Sequence, residues 1–388
     1  MAFFRNTTVN LLNLHYGIHA LAVSGGGAFF AVFLLRSGVP AYGVLLAMAA
    51  ILLGRFAIRP MVLPLGRRFG LKPLVIAGTI ITALQYPLLA EVHGVGWQLF
   101  ALCAVSSIGE TLYWTAYHAY FASLGDAEHR GHQISAREAA AAMVGIAAPL
   151  LTGWALVTVG PRLAFGVTAI ALAASALPLI WAPNVKIADE APGALRAAMT
   201  GVLLFVADGW TAMGYAFVWQ IALFISLDKS FTAFGGAMAF AAVVGAISGL
   251  FLGRFIDAGH GRRAVWLAAG VMAATIAARS ISLGHPATAI LANAAGAVVV
   301  ALYTPTMMTA VYNLSKRSPC VLRFHIAAEG GWDAGGATAC LVGAALIWAG
   351  APMSAVICLA FLGTIAAFVL LRRAYGADAG APARPQIT

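Results

Sequence analysis

The chain has 388 residues, of which 62% are apolar and 9% charged; its mean hydropathy is +0.90 and its formal charge +10. A water-soluble domain carries roughly a quarter charged residues, so a mostly wetted surface is excluded and the bilayer is the expected solvent. Four cysteines (Cys103, Cys320, Cys340, Cys358) have neither paired nor metal-like spacing, which predicts no disulfide framework and no zinc site. No nucleotide-binding loop is found, and the run Glu128-His129-Arg130-Gly131-His132 lacks the order of a zinc protease motif. Neither an enzyme nor a cofactor is therefore expected. Met1 to Asn10 and the polar-punctuated apolar run after it do not read as a cleavable signal peptide.

A membrane helix needs about 20 apolar residues. Apolar runs bounded by turn and charge signals predict twelve, over 10–35, 41–64, 73–92, 97–123, 133–158, 162–182, 196–226, 232–255, 263–283, 286–313, 324–349 and 352–371. The polar stretch from Pro183 to Gly193 divides the chain. The expected organisation is one bundle over 1–183, a linker over 184–194, a second bundle over 195–375 and a disordered Ala-, Pro- and Gly-rich tail over 376–388. One set of alternate loops and termini holds Arg67, Arg68, Lys72, Arg262, Arg263, Lys316 and Arg317 among others, whereas the other set holds only Arg36, Arg162, Lys229 and Arg279. Positive charge stays in the cytoplasm, so both termini are expected inside a bacterial-type inner membrane. The charge is then a matter of topology, and nucleic acid is not an expected partner.

The halves look related. At an offset of 191 residues Gly54 meets Gly245, Lys72 meets Arg263, Ala119 meets Ala310 and Glu138 meets Glu329. The loops LGRRFGLK (65–72) and GRFIDAGHGRR (253–263) fall at the same offset. Repeats about a central linker are a common build for transporters. The second loop, through Gly253, Asp257, Gly261, Arg262 and Arg263, resembles the G-x-L-a-D-x-x-G-R-R motif of the major facilitator superfamily, with one extra residue. In the first loop Leu63 stands at the motif's glycine and Arg67 at its aspartate, while Gly70 and Lys72 remain. Helix 5 carries Gly145, Pro149 and Gly153, similar to the glycine–proline motif of the family's antiporters, with Ala148-Pro149 in place of Gly-Pro. The arginine that drug antiporters carry in helix 4 is absent. The resemblance covers nearly the whole chain. It implies an all-α membrane protein of twelve helices in two six-helix bundles related by a pseudo-two-fold axis. Helices 1, 4, 7 and 10 would line a central cavity worked by alternating access.

Ionisable groups inside spans cost about 2.5–3.5 kcal/mol on insertion scales, so those present need a reason. On helix 4, Glu110, Tyr113, Trp114 and Tyr117 share one face. An acid among aromatic rings suits an organic cation through charge pairing and cation–π attraction. On helix 7, Asp208, Thr211, Tyr215 and Trp219 share a face, for binding or proton transfer, or else for a polar contact to helix 1. Helix 1 presents His15 and His19 four residues apart, a proton shuttle or, with Asp208, a transition-metal site. Packed aromatics and hydrogen-bonded histidines are the plainer readings. The run Ser24 to Gly27 suits close helix packing.

Glu329, Asp333 and Glu138 fall in the cytoplasmic third with Arg55 and Arg59, which predicts ion pairs closing that side; Asp333 is also a candidate proton carrier. In the resembling family the motif aspartates face the starts of helices 11 and 5. An acid is favoured at a helix start, and an arginine is not. Arg67 at the first position therefore predicts a charge-swapped lock, Arg67 or Arg59 against Glu329 or Asp333, with Asp257 paired to Arg137 in the other half. The functional expectation is a monomeric, proton-driven antiporter exporting a cationic or amphipathic organic solute, its partners being substrate, protons and lipid. A carrier of a divalent transition metal or metal chelate is the alternative, and a non-transporting membrane enzyme or assembly factor the second.

Overall fold

The computed structural model describes residues 7–124, 130–187, 190–257 and 261–378. They form helical rods α1 (Thr7–Arg36), α2 (Ala41–Phe69), α3 (Leu71–Ala90), α4 (Trp97–Leu124), α5 (Arg130–Thr158), α6 (Pro161–Ile180), α7 (Ala194–Ser226), α8 (Phe231–Asp257), α9 (Gly261–Ile281), α10 (Pro286–Lys316), α11 (Val321–Trp348) and α12 (Met353–Tyr375). Glycine and proline separate them where the chain reverses. Gly160 (φ +88°) turns the backbone as only glycine does cheaply, and Pro161 opens α6 with its φ already set for a helix. Among the described residues ten helices are long and apolar enough to cross a membrane, and Val144–Thr158 of α5 is a shorter apolar stretch. α11 stands apart because its first half carries Arg323, His325, Glu329 and Asp333. The predicted tail lies outside the described residues from 379 onward.

Within the first half α4 packs on α2 and α3, and α1 on α5 and α6; within the second, α7 packs on α11 and α12, and α10 on α8 and α9. The most extensive contacts between halves are α2 with α11 and α5 with α8, and α4 also meets α11 and α1 meets α7. The Ser24–Gly27 run is a close crossing: a side chain at Gly25 would strike Thr152 of α5, and one at Gly26 would strike Thr168 and Tyr86. The tightest crossing, α7 on α11, is built from glycine on both sides. Gly331 and Gly335, four apart, abut the backbone of Val202 and Val206, and Gly209 abuts that of Trp332. Lipid tails supply no hydrophobic drive between helices, so backbones must approach closely for packing to hold them. Gly335→Ala, which forces a methyl into the Val206 backbone, should cost about 1–3 kcal/mol. A lowered melting temperature in detergent checks this, with Gly236→Ala, which meets nothing within 4 Å, as the unshifted control.

The end of the bundle where α2 ends and α11 begins carries exposed Arg67, Arg68, Lys316 and Arg317 and is called here the basic face. The opposite face is closed by phenylalanines from both halves. Phe29 meets Phe234 at 5.3 Å and Phe33 meets Phe231 at 6.2 Å between ring centroids, with Phe224 stacked on Phe231 at 5.3 Å. Beside them Arg162 donates to both oxygens of Glu91, at 2.7 and 2.9 Å. Those bonds hold the exposed Glu91 carboxyl below its ordinary pKa.

Candidate functional site

α2 presents Arg55 and Arg59 one turn apart, α11 presents Glu329 and Asp333 one turn apart, and α4 brings Glu110 between them. Arg55 Nη1 donates to Glu110 Oε2 at 2.7 Å, and its Nε lies 3.0 Å from Asp333 Oδ1. Arg59 Nη1 donates to Glu329 Oε2 at 2.7 Å, its Nε to Asp333 Oδ2 at 2.9 Å, and its Nη2 also reaches Asp333. The Thr115 hydroxyl accepts from Arg59 and lies 3.3 Å from Glu329 Oε2. Asp333 is fully buried, Arg59 and Glu329 nearly so, while the Glu110 side chain keeps 26% of its surface. A guanidinium fork spans two carboxylates in a way an ammonium does not, which is why both cations here are arginines. Three carboxylates face two guanidiniums, leaving one negative charge in excess. Arg67 does not join them. It lies eight residues past Arg59, about 12 Å along the helix, exposed on the basic face. The ion pairs to α11 are thus made by Arg59 and Arg55.

Arg55 also lies over the Trp332 ring, 5.4 Å from its centroid, and Trp332 Nε1–H donates to Asp208 Oδ2 at 3.0 Å. Glu110 and Asp208 are so linked across the seam through one arginine and one indole. Tyr303 of α10 neighbours Asp208, and Phe217 meets Trp332 edge-on. Among the described residues no basic side chain pairs with Asp208. Its polar contact is to α11, not to α1 as the alternative sequence reading had it.

Tyr215 and Trp219 make their contacts with Arg279 and α10 instead of with Asp208. α7 passes through a π-helical turn over Met213–Val218. Such a turn holds an extra residue, so at about 100° per residue the helix beyond it points elsewhere. Both rings there cover Arg279, whose Cζ is 4.1 Å from the Tyr215 centroid and 4.9 Å from that of Trp219. Arg279 donates to the backbone oxygens of Tyr215 and Ala292 and is 4% exposed. The sequence reading counted it as an outer-side charge; it is a buried bolt between α9, α7 and α10.

The histidines of α1 lie in a separate aromatic cluster. His15 Nδ1–H donates to the Ser175 carbonyl at 2.7 Å, which leaves Nε2 to accept the Tyr113 hydroxyl at 3.1 Å. Both ring nitrogens are then occupied. His19 stacks on Tyr113 at 4.2 Å and meets Trp114 edge-on, and Tyr117 stacks on Tyr113 at 5.4 Å. Glu110 is one turn away, turned to Arg55. Among the described residues no three of His, Cys, Asp and Glu gather to hold a metal, so the His15–His19–Asp208 set is not brought together. Arg137 and Glu138 on α5 and Asp257 on α8 have side chains outside the described residues. Trp332, Tyr303 and Thr115 escaped the sequence reading. Trp332 stands beside Asp333 on another face of α11, and only the packing of α7 and α2 shows its role.

The described helices, long and apolar enough to cross a membrane and joined by buried ion pairs, are those of a multi-pass membrane protein. The Major Facilitator Superfamily model matches residues 12–319, and the chain belongs to that family. No curated protein matches its sequence. Among solved structures, the human organic anion transporter MFSD10 (TETRAN) is similar at TM-score 0.68 and 14% identity, over 94% of this chain and 99% of that one. A POT family transporter in complex with a thioalcohol-conjugated peptide is similar at TM-score 0.70 and 10% identity, over 94% and 95%. An auto-inhibited POT family peptide transporter is similar at 0.62 and 13%, over 96% of each. At such identities the likeness is one of fold.

Proposed function

We propose that this secondary transporter is a proton-coupled antiporter. It exports a cationic or amphipathic organic solute across a bacterial-type inner membrane, as a monomer with its basic face in the cytoplasm. Residues 1–183 and 195–375 are the two bundles that rock, joined by the linker at 184–194. The observation that carries this reading is the excess acid at the seam. A buried cluster with one uncompensated negative charge is costly and is relieved by binding one cation, of which a proton is the smallest. Glu110 and Asp333 are the candidate carriers. Because Arg55 and Arg59 come from one half, and Glu329 and Asp333 from the other, the same pairs form the gate.

Asp208, held by an indole N–H and left without a basic partner among the described residues, supplies the acid for the solute. The rings of Trp332 and Tyr303 flank it and favour a cation with apolar bulk, and Phe217 backs Trp332. The test uses proteoliposomes containing a pH-sensitive dye and tetraphenylphosphonium as the cation. Its movement should drive protons the opposite way in the wild type, and the proton signal should vanish in Asp333→Asn. Cation flux without proton movement, or protons moving in the same direction, overturns antiport.

A further inference from the structure

Two histidines outside these sites face each other across the same seam. His118 on α4 and His325 on α11 stack with ring centroids 5.9 Å apart and planes inclined by 21°. His325 lies one turn before Glu329 on α11, about 6 Å nearer the basic face. Both rings lie within electrostatic reach of the Glu329 carboxylate. His325 is 1% exposed, and its Nε2 is buried without a hydrogen-bond partner among the described residues; so is Glu329 Oε1. Glu329 Oε2, by contrast, is committed to Arg59 and Thr115. His118 keeps part of its surface exposed. A vacant basic nitrogen and a vacant carboxylate oxygen thus sit one turn apart, with a half-exposed imidazole beside them.

We infer that His118 and His325 form a second proton-binding site, through which protons pass between water at the basic face and Glu329. This rests on the proton-coupled reading and extends it to residues that reading does not use. One proton on the pair offsets the excess negative charge of the cluster, whereas two would repel across the stacked rings. When the proton moves on, the imidazolium N–H bond breaks, the electron pair stays on nitrogen, and an O–H bond forms at Glu329. The ring is left neutral and the cluster loses its excess charge. The groups facing the pair are Trp114 and Tyr117 on α4, Phe324 and Glu329 on α11 and Tyr312 on α10, with Arg59 on α2 behind Glu329 as its ion-pair partner. Glu329 favours the charged ring, and Arg59 weakens that pull.

The decisive measurement is the nitrogen NMR spectrum of the full chain in lipid nanodiscs, labelled at histidine and followed from pH 5 to 9. The resonances are assigned through His118→Gln and His325→Gln, with exposed His93 and His285 as references outside the seam. The two rings should titrate together in two coupled steps. Glu329→Gln should make both harder to protonate by about 1 pH unit or more, and Asp208→Asn should leave both unmoved. Should Glu329→Gln fail to fold, His118→Gln should collapse the His325 titration to a single step. Rings that stay neutral throughout, or that titrate independently of each other and of Glu329, overturn the site. Failure of the underlying reading looks different: rings that titrate as a pair, in a protein that moves cations without protons.

Discussion

Arg59→Met should destabilise the folded protein by about 3–5 kcal/mol, the cost of leaving buried charge without its partner. Arg59 is bonded to both Glu329 and Asp333, so its loss strands the buried Glu329 and leaves the buried Asp333 with Arg55 alone. Thermal unfolding in detergent reads the effect. Adding Glu329→Gln and Asp333→Asn should recover most of the loss, because neutral amides need no counter-charge. Arg59→Lys should recover less, since one ammonium does not span both acids as a planar fork does. Arg67→Met, on the exposed basic face, should stay within about 0.5 kcal/mol of wild type. A wild-type melting temperature for Arg59→Met would show that the cluster does not hold the halves together.

Asp208→Asn should abolish cation transport while leaving the fold intact. The amide oxygen still accepts the Trp332 indole hydrogen, so the α7–α11 contact survives. What disappears is the negative charge. Truncating one member of a desolvated charge pair costs about 2–5 kcal/mol, so affinity for tetraphenylphosphonium should fall by at least roughly 30-fold. Equilibrium binding to the purified variant, at an unchanged melting temperature, is the measurement. Equal affinity in wild type and variant would remove Asp208 from recognition.

Much of the architecture is legible in the sequence, because the bilayer imposes length and apolarity on every span. The predicted runs and the helices agree to within a few residues, even at α11, where Glu329 and Asp333 dilute the apolar signal. The site is less legible. Helical spacing correctly places Arg55 with Arg59 and Glu329 with Asp333, because one turn is a local property. It does not tell that Glu110 turns to Arg55 instead of to its own neighbours Tyr113 and Tyr117. That choice depends on which helix packs on α4. Spacing also does not tell that Tyr215, in the wide turn of α7, covers Arg279. Arg279 looks like a loop charge for a similar reason. Its distance from the end of α9 is visible, but the two rings that cover it come from α7.

The two ends of the seam are sealed by different physics, and that sets how each responds to its surroundings. Parting the phenylalanines at the face opposite the basic one wets apolar rings, at about 25 cal/mol per Å². That cost carries a positive heat-capacity change and shrinks on cooling. Parting α2 and α4 from α11 instead returns five ionised side chains to water, and hydration repays much of the lost attraction. Once water enters, what attraction remains is screened by dissolved salt over about 8–10 Å. Temperature therefore acts chiefly on the aromatic end, and ionic strength on the charged one. Warmth and salt thus weigh on the two ends of the seam independently.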